Sequence, residues 1–128
     1  MSDELEYGYI LVSVKTAGGA LPVANAVVTV KDANDNILYV EFTDSSGNTQ
    51  VMKVPAPAKS NSISPDTGLP PYFNYNIDTD KEGYVSVRNT NVPVYPGITS
   101  IQPVEMLPLP EGLRIPLVTF SESVPPEL

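Results

Sequence analysis

Apolar and polar residues alternate with a period of two along most of this chain, and this pattern constrains its fold more than any other feature. Ile10, Val12 and Val14 share one phase of the first run, and Val28 and Val30 share one phase of the second. Because successive side chains of a β-strand point to opposite faces, each run predicts a strand with one buried face. The 14 prolines and 8 glycines among 128 residues interrupt the chain too often for long helices.

Seven such runs, separated by stretches rich in turn-forming residues, predict seven short strands. They cover residues 9–15, 25–32, 37–43, 50–54, 73–77, 84–88 and 99–107. The first four are expected to form a meander, and the proline-rich residues 55–71 are expected to cross to a second sheet. The predicted fold class is therefore all-β, a seven-stranded antiparallel Greek-key β-sandwich with extended terminal arms.

The length suits one domain, which we divide by composition. Residues 1–6 form an acidic N-terminal arm, residues 7–110 the sandwich, and residues 111–128 a proline-rich C-terminal arm. The first residues are acidic, whereas a secretory signal peptide would be basic and then apolar, so no signal peptide is predicted. No apolar run reaches the length of a membrane span, so no membrane insertion is expected.

Composition also restricts the chemistry. The chain has no His and no Cys, which build most zinc, haem, iron–sulfur and thiol sites, so no cofactor, no metal and no enzyme activity are predicted. The run from Asp78 to Gly83 begins like a calcium loop, but a solvated turn is favoured there because position twelve is Asn89. Asp32, Asp35 and Asp44 could meet at one end of the sandwich, although aspartates are also usual in turns. The net charge of −8 disfavours nucleic acid as a partner.

The order of several motifs resembles that of carboxypeptidase regulatory-like, or transthyretin-like, domains. The matching runs are Gly8-Tyr-Ile-Leu-Val-Ser-Val14, Leu21-Pro-Val-Ala-Asn-Ala-Val-Val-Thr-Val30, Thr43-Asp-Ser-Ser-Gly47, Gly83-Tyr84 and Val92-Pro-Val-Tyr-Pro-Gly97. The chain is also similar to the N-terminal domain of clostridial spore cortex-lytic enzymes, through Val54-Pro-Ala-Pro57, Pro71-Tyr-Phe-Asn-Tyr-Asn-Ile77 and Pro103-Val-Glu-Met-Leu-Pro-Leu-Pro110. This resemblance implies a β-sandwich that accompanies enzymes or surface proteins, at the cell surface, on spores or in extracellular assemblies.

Two groups of residues are candidates for contact with a partner. Tyr9 and Tyr39 each lie on the phase opposite their strand's apolar row, which in residues 37–43 is Leu38, Val40 and Phe42. The C-terminal arm contains an apolar segment at strand spacing that could complete the sheet of a neighbouring subunit, or fold against its own domain. Its candidate residues are Leu113, Ile115, Leu117, Val118 and Phe120.

These observations predict a non-catalytic structural or attachment module of a bacterial envelope, spore or extracellular assembly, whose partner is a protein or identical subunits. One alternative is a subunit of an extracellular filament joined by β-strand addition of its arms. Another is an accessory domain that acts in trans on a cell-wall hydrolase.

Overall fold

The computed structural model describes residues 6–57, 72–110 and 117–122, and these residues contain nine strands and no helix. Within them, no helix is therefore available to cross a membrane. The strands are β1 (Glu6–Thr16), β2 (Leu21–Pro22), β3 (Val27–Lys31), β4 (Ile37–Phe42), β5 (Met52–Ala56), β6 (Phe73–Asp80), β7 (Val87–Val94), β8 (Thr99–Glu105) and β9 (Val118–Ser121).

The long strand β1 is the centre of a four-stranded sheet. It pairs with β2 and β5 antiparallel along one edge and with β8 in parallel along the other. A five-stranded sheet has the order β4-β3-β6-β7-β9, in which only the β7–β9 pair is parallel. Both counts refer to the described residues.

The inner faces of the two sheets form one apolar core. Ile10, Val12 and Val14 of β1 and Val28 and Val30 of β3 are completely buried. These are the rows that the alternation predicts, because a phase of small branched apolar residues fits the layer between two sheets. Other core residues are Met52, Val54, Tyr75, Ile77, Val92, Val94, Val104 and Met106.

The predicted all-β sandwich is confirmed, but the strand count, the strand order and the two parallel pairs differ from the prediction of seven antiparallel strands. The predicted meander is wrong, because β1 and β5 lie in one sheet whereas β3 and β4 lie in the other. The chain does change sheets between β5 and β6, as the proline-rich stretch predicts. Of the nine described strands, β2 was not predicted as a strand, and β9 lies in the C-terminal segment predicted at strand spacing but not counted among the seven.

Candidate interaction surfaces

A row of apolar side chains crosses the outer face of the four-stranded sheet. Leu11 of β1 pairs with Ile101 of β8. On the other side of β1, Ile10 pairs with Met52, the first residue of β5, and Val51 directly precedes Met52 in the chain. Val51 is 53% exposed and Ile101 is 66% exposed, while Leu11 between them is partly exposed. We call Val51, Leu11 and Ile101 the outer apolar row.

Two tyrosines continue this surface along β1. Tyr9 is partly exposed and lies between its partners Lys53 and Thr99. Tyr7 is exposed, and the Lys53 ammonium lies 4.4 Å from the centre of its ring. The structure thus places Tyr9 on the outer phase, where the sequence predicts it. A phenol suits a partly wet contact surface because its ring is apolar and its hydroxyl forms hydrogen bonds.

A second apolar surface lies on β4, at the edge of the five-stranded sheet. Leu38, Val40 and Phe42 point outward and are 39%, 53% and 61% exposed. The apolar row of this strand therefore faces away from the core, and the inner positions are Tyr39, Glu41 and Thr43. We call Leu38, Val40 and Phe42 the β4 row.

The position of Tyr39 differs from the prediction. It packs against the core, and its hydroxyl donates a hydrogen bond of 2.7 Å to the carbonyl oxygen of Lys53. The physical reason is its place at the rim of the sandwich, where a ring can cover the core while its hydroxyl reaches the backbone of the opposite sheet. Thr43 holds β4 in this same orientation, with Tyr39 on the inner face. Its buried hydroxyl accepts a hydrogen bond from the Ala26 amide and donates one to the Val23 carbonyl oxygen.

The C-terminal candidates lie partly in β9. Leu113 and Ile115 fall outside the described residues. Leu117 and Phe120 are 46% and 50% exposed, and Val118 is partly exposed opposite Val87 of the chain's own β7. The end of β9 is held by side-chain and backbone hydrogen bonds, from Asn89 Nδ2 to Glu122 Oε2 (2.9 Å) and from the Glu122 amide to the Thr90 carbonyl (2.7 Å). In this structure β9 completes the chain's own sheet.

The centre of the outer face of the five-stranded sheet is charged. Asp78 accepts a hydrogen bond of 2.7 Å from Arg88 Nε and forms an ion pair of 2.9 Å with Lys31. Burial raises the pKa of Asp78, but the hydrogen bonds and charges of Arg88 and Lys31 outweigh it and hold this pKa below its ordinary value. The carboxylate at the start of the calcium-like run is thus neutralised by two cations.

The other candidate aspartates have structural roles in turns. Asp32 accepts hydrogen bonds from the amides of Asn34 and Asn36, and Asp44 accepts them from the amides of Ser46 and Asn48. The bond from the Asn36 amide is the main cause of the lowered pKa of Asp32. Asp44 follows β4 whereas Asp32 precedes it, so these two lie at opposite ends of that strand and have the turn roles that were weighed against a shared site. No group of three or more acidic side chains in the described ranges is arranged to hold a metal ion.

Sequence reasoning identified Tyr9 but missed the outer apolar row. Its three members are far apart in the chain, and they come to one face only because β1 pairs with β8 and with β5, which Val51 directly precedes. Pairing between strands that are distant in the chain leaves no local pattern in the sequence. No sequence signal could therefore have predicted that Val51, Leu11 and Ile101 lie on one surface.

Comparisons with known proteins support the fold. No protein-family model matches the sequence, and no curated protein matches it. Among solved structures, the chain is similar to the minor pilin of Streptococcus agalactiae, with TM-score 0.54 and 16% identity over 88% of this chain and 48% of the pilin. It is also similar to the Bacillus anthracis TIE protein, with TM-score 0.51 and 14% identity over 81% of this chain and 17% of that protein.

A third similar structure is an enzyme. Catechol 1,2-dioxygenase from Acinetobacter matches with TM-score 0.59 and 11% identity over 91% of this chain and 59% of the enzyme. The chain thus spans less than two thirds of each of these proteins. This finding corrects the prediction that the chain is not an enzyme. Because an enzyme has a similar fold, neither the fold nor the resemblance to transthyretin-like domains excludes an activity. Identity this low shows the fold alone and assigns no reaction to the chain.

Proposed function

We propose that this chain is a structural or attachment module of a bacterial envelope, spore or extracellular assembly, and that it binds a protein partner through the outer apolar row. The observation that carries this proposal is the pairing of Leu11 with the exposed Ile101, with the exposed Val51 just before β5 and with Tyr7 and Tyr9 further along β1. Contiguous apolar side chains on a sheet face are costly in water and mark interaction sites.

The chemistry of the surface favours a protein over a charged partner. Tyrosine and branched apolar residues are typical of the buried centre of protein interfaces, and charged residues are depleted there. The Lys53 ammonium lies over the Tyr7 ring, 4.4 Å from its centre. The two-sheet fold shared with a pilin and the TIE protein supports an extracellular role, as does the resemblance to transthyretin-like domains.

The test is co-sedimentation of the purified full chain with Gram-positive cell walls that retain their attached proteins, and with walls stripped of protein by protease. We expect binding to the protein-bearing walls. Ile101→Lys places a charge in the outer apolar row and should weaken this binding by about tenfold or more, since a central contact contributes about 2 kcal/mol.

Val40→Lys is the matched control, because it adds the same charge to an exposed apolar site on the other sheet. It should bind like the unmodified chain. The proposal is wrong if the unmodified chain fails to bind protein-bearing walls, or if Ile101→Lys binds as tightly. Equal binding to stripped walls would assign the contact to the glycan polymer and overturn the choice of a protein partner.

A further inference from the structure

We propose that β4 is a self-association edge, which pairs antiparallel with β4 of a second copy of this chain about a two-fold axis through Val40. This inference names a second surface and does not depend on the outer apolar row. β4 ends the five-stranded sheet, and among the described strands it pairs with β3 alone. Within the described residues, the edge of β4 away from β3 therefore presents backbone donors and acceptors to a further strand.

β4 lacks proline and lysine, two of the features that usually prevent edge pairing. Natural edge strands are protected by proline, by lysine, by inward-pointing charges, by bulges or by short length. β4 has six residues, Ile-Leu-Tyr-Val-Glu-Phe, without proline or lysine. The register shift against β3 makes Leu38 an extra, unpaired residue near the start of β4, and it leaves the pairing from Tyr39 to Phe42 regular. Glu41 is the inward-pointing charge of this strand.

The other described edge strands are poor partners for β4. Proline lacks the amide hydrogen that a sheet ladder needs, and β2, β5 and β8 contain Pro22, Pro55 and Pro103. β9 is only four residues long. The strand that matches β4 in length and in its apolar row is β4 of another copy.

The side chains select a register for this pair. With Val40 opposite Val40 of the second copy, Tyr39 lies opposite Glu41, and Leu38, at the register shift, falls near Phe42. The β4 row then forms a continuous apolar strip over both copies. Glu41, the charged residue of the strand, faces a phenol. A register centred on Glu41 would place two carboxylates opposite each other, which is unfavourable.

The first test is sedimentation velocity of the full chain from micromolar to millimolar concentration. We expect a dimer that Val40→Lys weakens by about tenfold or more, because two ammonium groups then lie directly opposite. Ile101→Lys is the matched control and should dimerise like the unmodified chain. This pair also separates the two proposals, since each variant should damage one surface and leave the other intact.

The second test fixes the register and remains decisive if Val40→Lys does not fold. The natural chain has no cysteine, so single cysteines report cleanly on proximity. Residues directly opposite in an antiparallel pair lie within disulfide range, about 4.5–5.5 Å between Cα atoms. Under mild oxidation Val40→Cys should form a covalent dimer, whereas Leu38→Cys and Phe42→Cys should each stay monomeric. A monomer at all concentrations, dimers insensitive to Val40→Lys, or preferential cross-linking of Leu38→Cys would each overturn the proposal.

Discussion

At the scale of single residues, the ion-pair group around Asp78 fixes the charge pattern of the outer face of the five-stranded sheet. Asp78 lies on β6 between β3 and β7: Arg88 of β7 is its partner in the register, and Lys31 of β3 lies diagonally across, two residues beyond its partner Thr29. Its side chain is 16% exposed, so its charge is shielded from water and depends on both cations. The group therefore joins three adjacent strands.

Asp78→Asn is expected to lower the free energy of unfolding at pH 7 by about 1–3 kcal/mol, because it removes charge-assisted hydrogen bonds and leaves two cations unpaired. The pKa of Asp78 is lower in the folded than in the unfolded state. The stabilisation is therefore present above the ordinary aspartate pKa of 3.8 and is lost as pH falls through the folded value. Urea unfolding of both proteins, followed by circular dichroism between pH 7 and pH 2, measures the difference. A difference that stays constant over this range would contradict the assignment.

At the scale of elements, strand β4 shows where prediction from sequence succeeds and where it fails. The inner rows of β1 and β3 were predictable because their apolar phases are separated clearly from polar ones. In β4 the alternation is equally clear, but it predicts the wrong inner face. Leu38, Val40 and Phe42 are more apolar than Tyr39 and Glu41, yet they point to solvent. The position of the strand at the rim decides its phase, through the hydrogen bonds of Tyr39 and Thr43 to other elements.

The parallel pairs β1–β8 and β7–β9 were equally hidden from the sequence. Each joins strands that are distant in the chain, and a strand's composition does not reveal its neighbour. The outer apolar row depends on the first of these pairs. Tyr9 alone could be predicted as part of this surface, since only its phase within β1 was needed.

A pair of matched substitutions tests the phases of β3 and β4. Val28→Asp buries an unpaired carboxylate and should abolish cooperative unfolding. Val40→Asp, on the adjacent strand and 53% exposed, should change the melting temperature little. Thermal denaturation followed by circular dichroism compares the two. Loss of folding in Val40→Asp together with tolerance of Val28→Asp would reverse both assignments.

At the scale of the whole molecule, strand β9 near the C-terminus forms one edge of the five-stranded sheet. The division of the chain into a sandwich and two arms remains a prediction. It also remains a prediction that the C-terminal arm joins subunits through its apolar residues, which are Leu113, Ile115, Leu117, Val118 and Phe120. β9 pairs with β7 of its own chain here. Joining of subunits would require this strand to leave β7 and occupy the same position on a neighbour.

Removal of residues 111–128 is expected to leave the chain folded, because β1 to β8 contain the described core. The free energy of unfolding should fall by roughly 1–3 kcal/mol, since β7 loses the hydrogen bonds that β9 supplies. Chemical denaturation measures this loss, and light scattering detects assemblies larger than a dimer. If the arm joins subunits, those assemblies disappear on truncation while pairing through β4 persists. Unchanged large assemblies would contradict a role of the arm.

The central claim is that the strands separate a dry inner layer from apolar contact rows on the outside. Methyl-resolved nuclear magnetic resonance with a soluble paramagnetic agent measures this separation directly, because relaxation enhancement rises with exposure to solvent. We expect strong enhancement for the methyl groups of Val51 and Ile101, and little for those of Ile10, Val12 and Val28. Strong enhancement at Val12 or Val28, or protection of Ile101 in the monomer, would contradict the account.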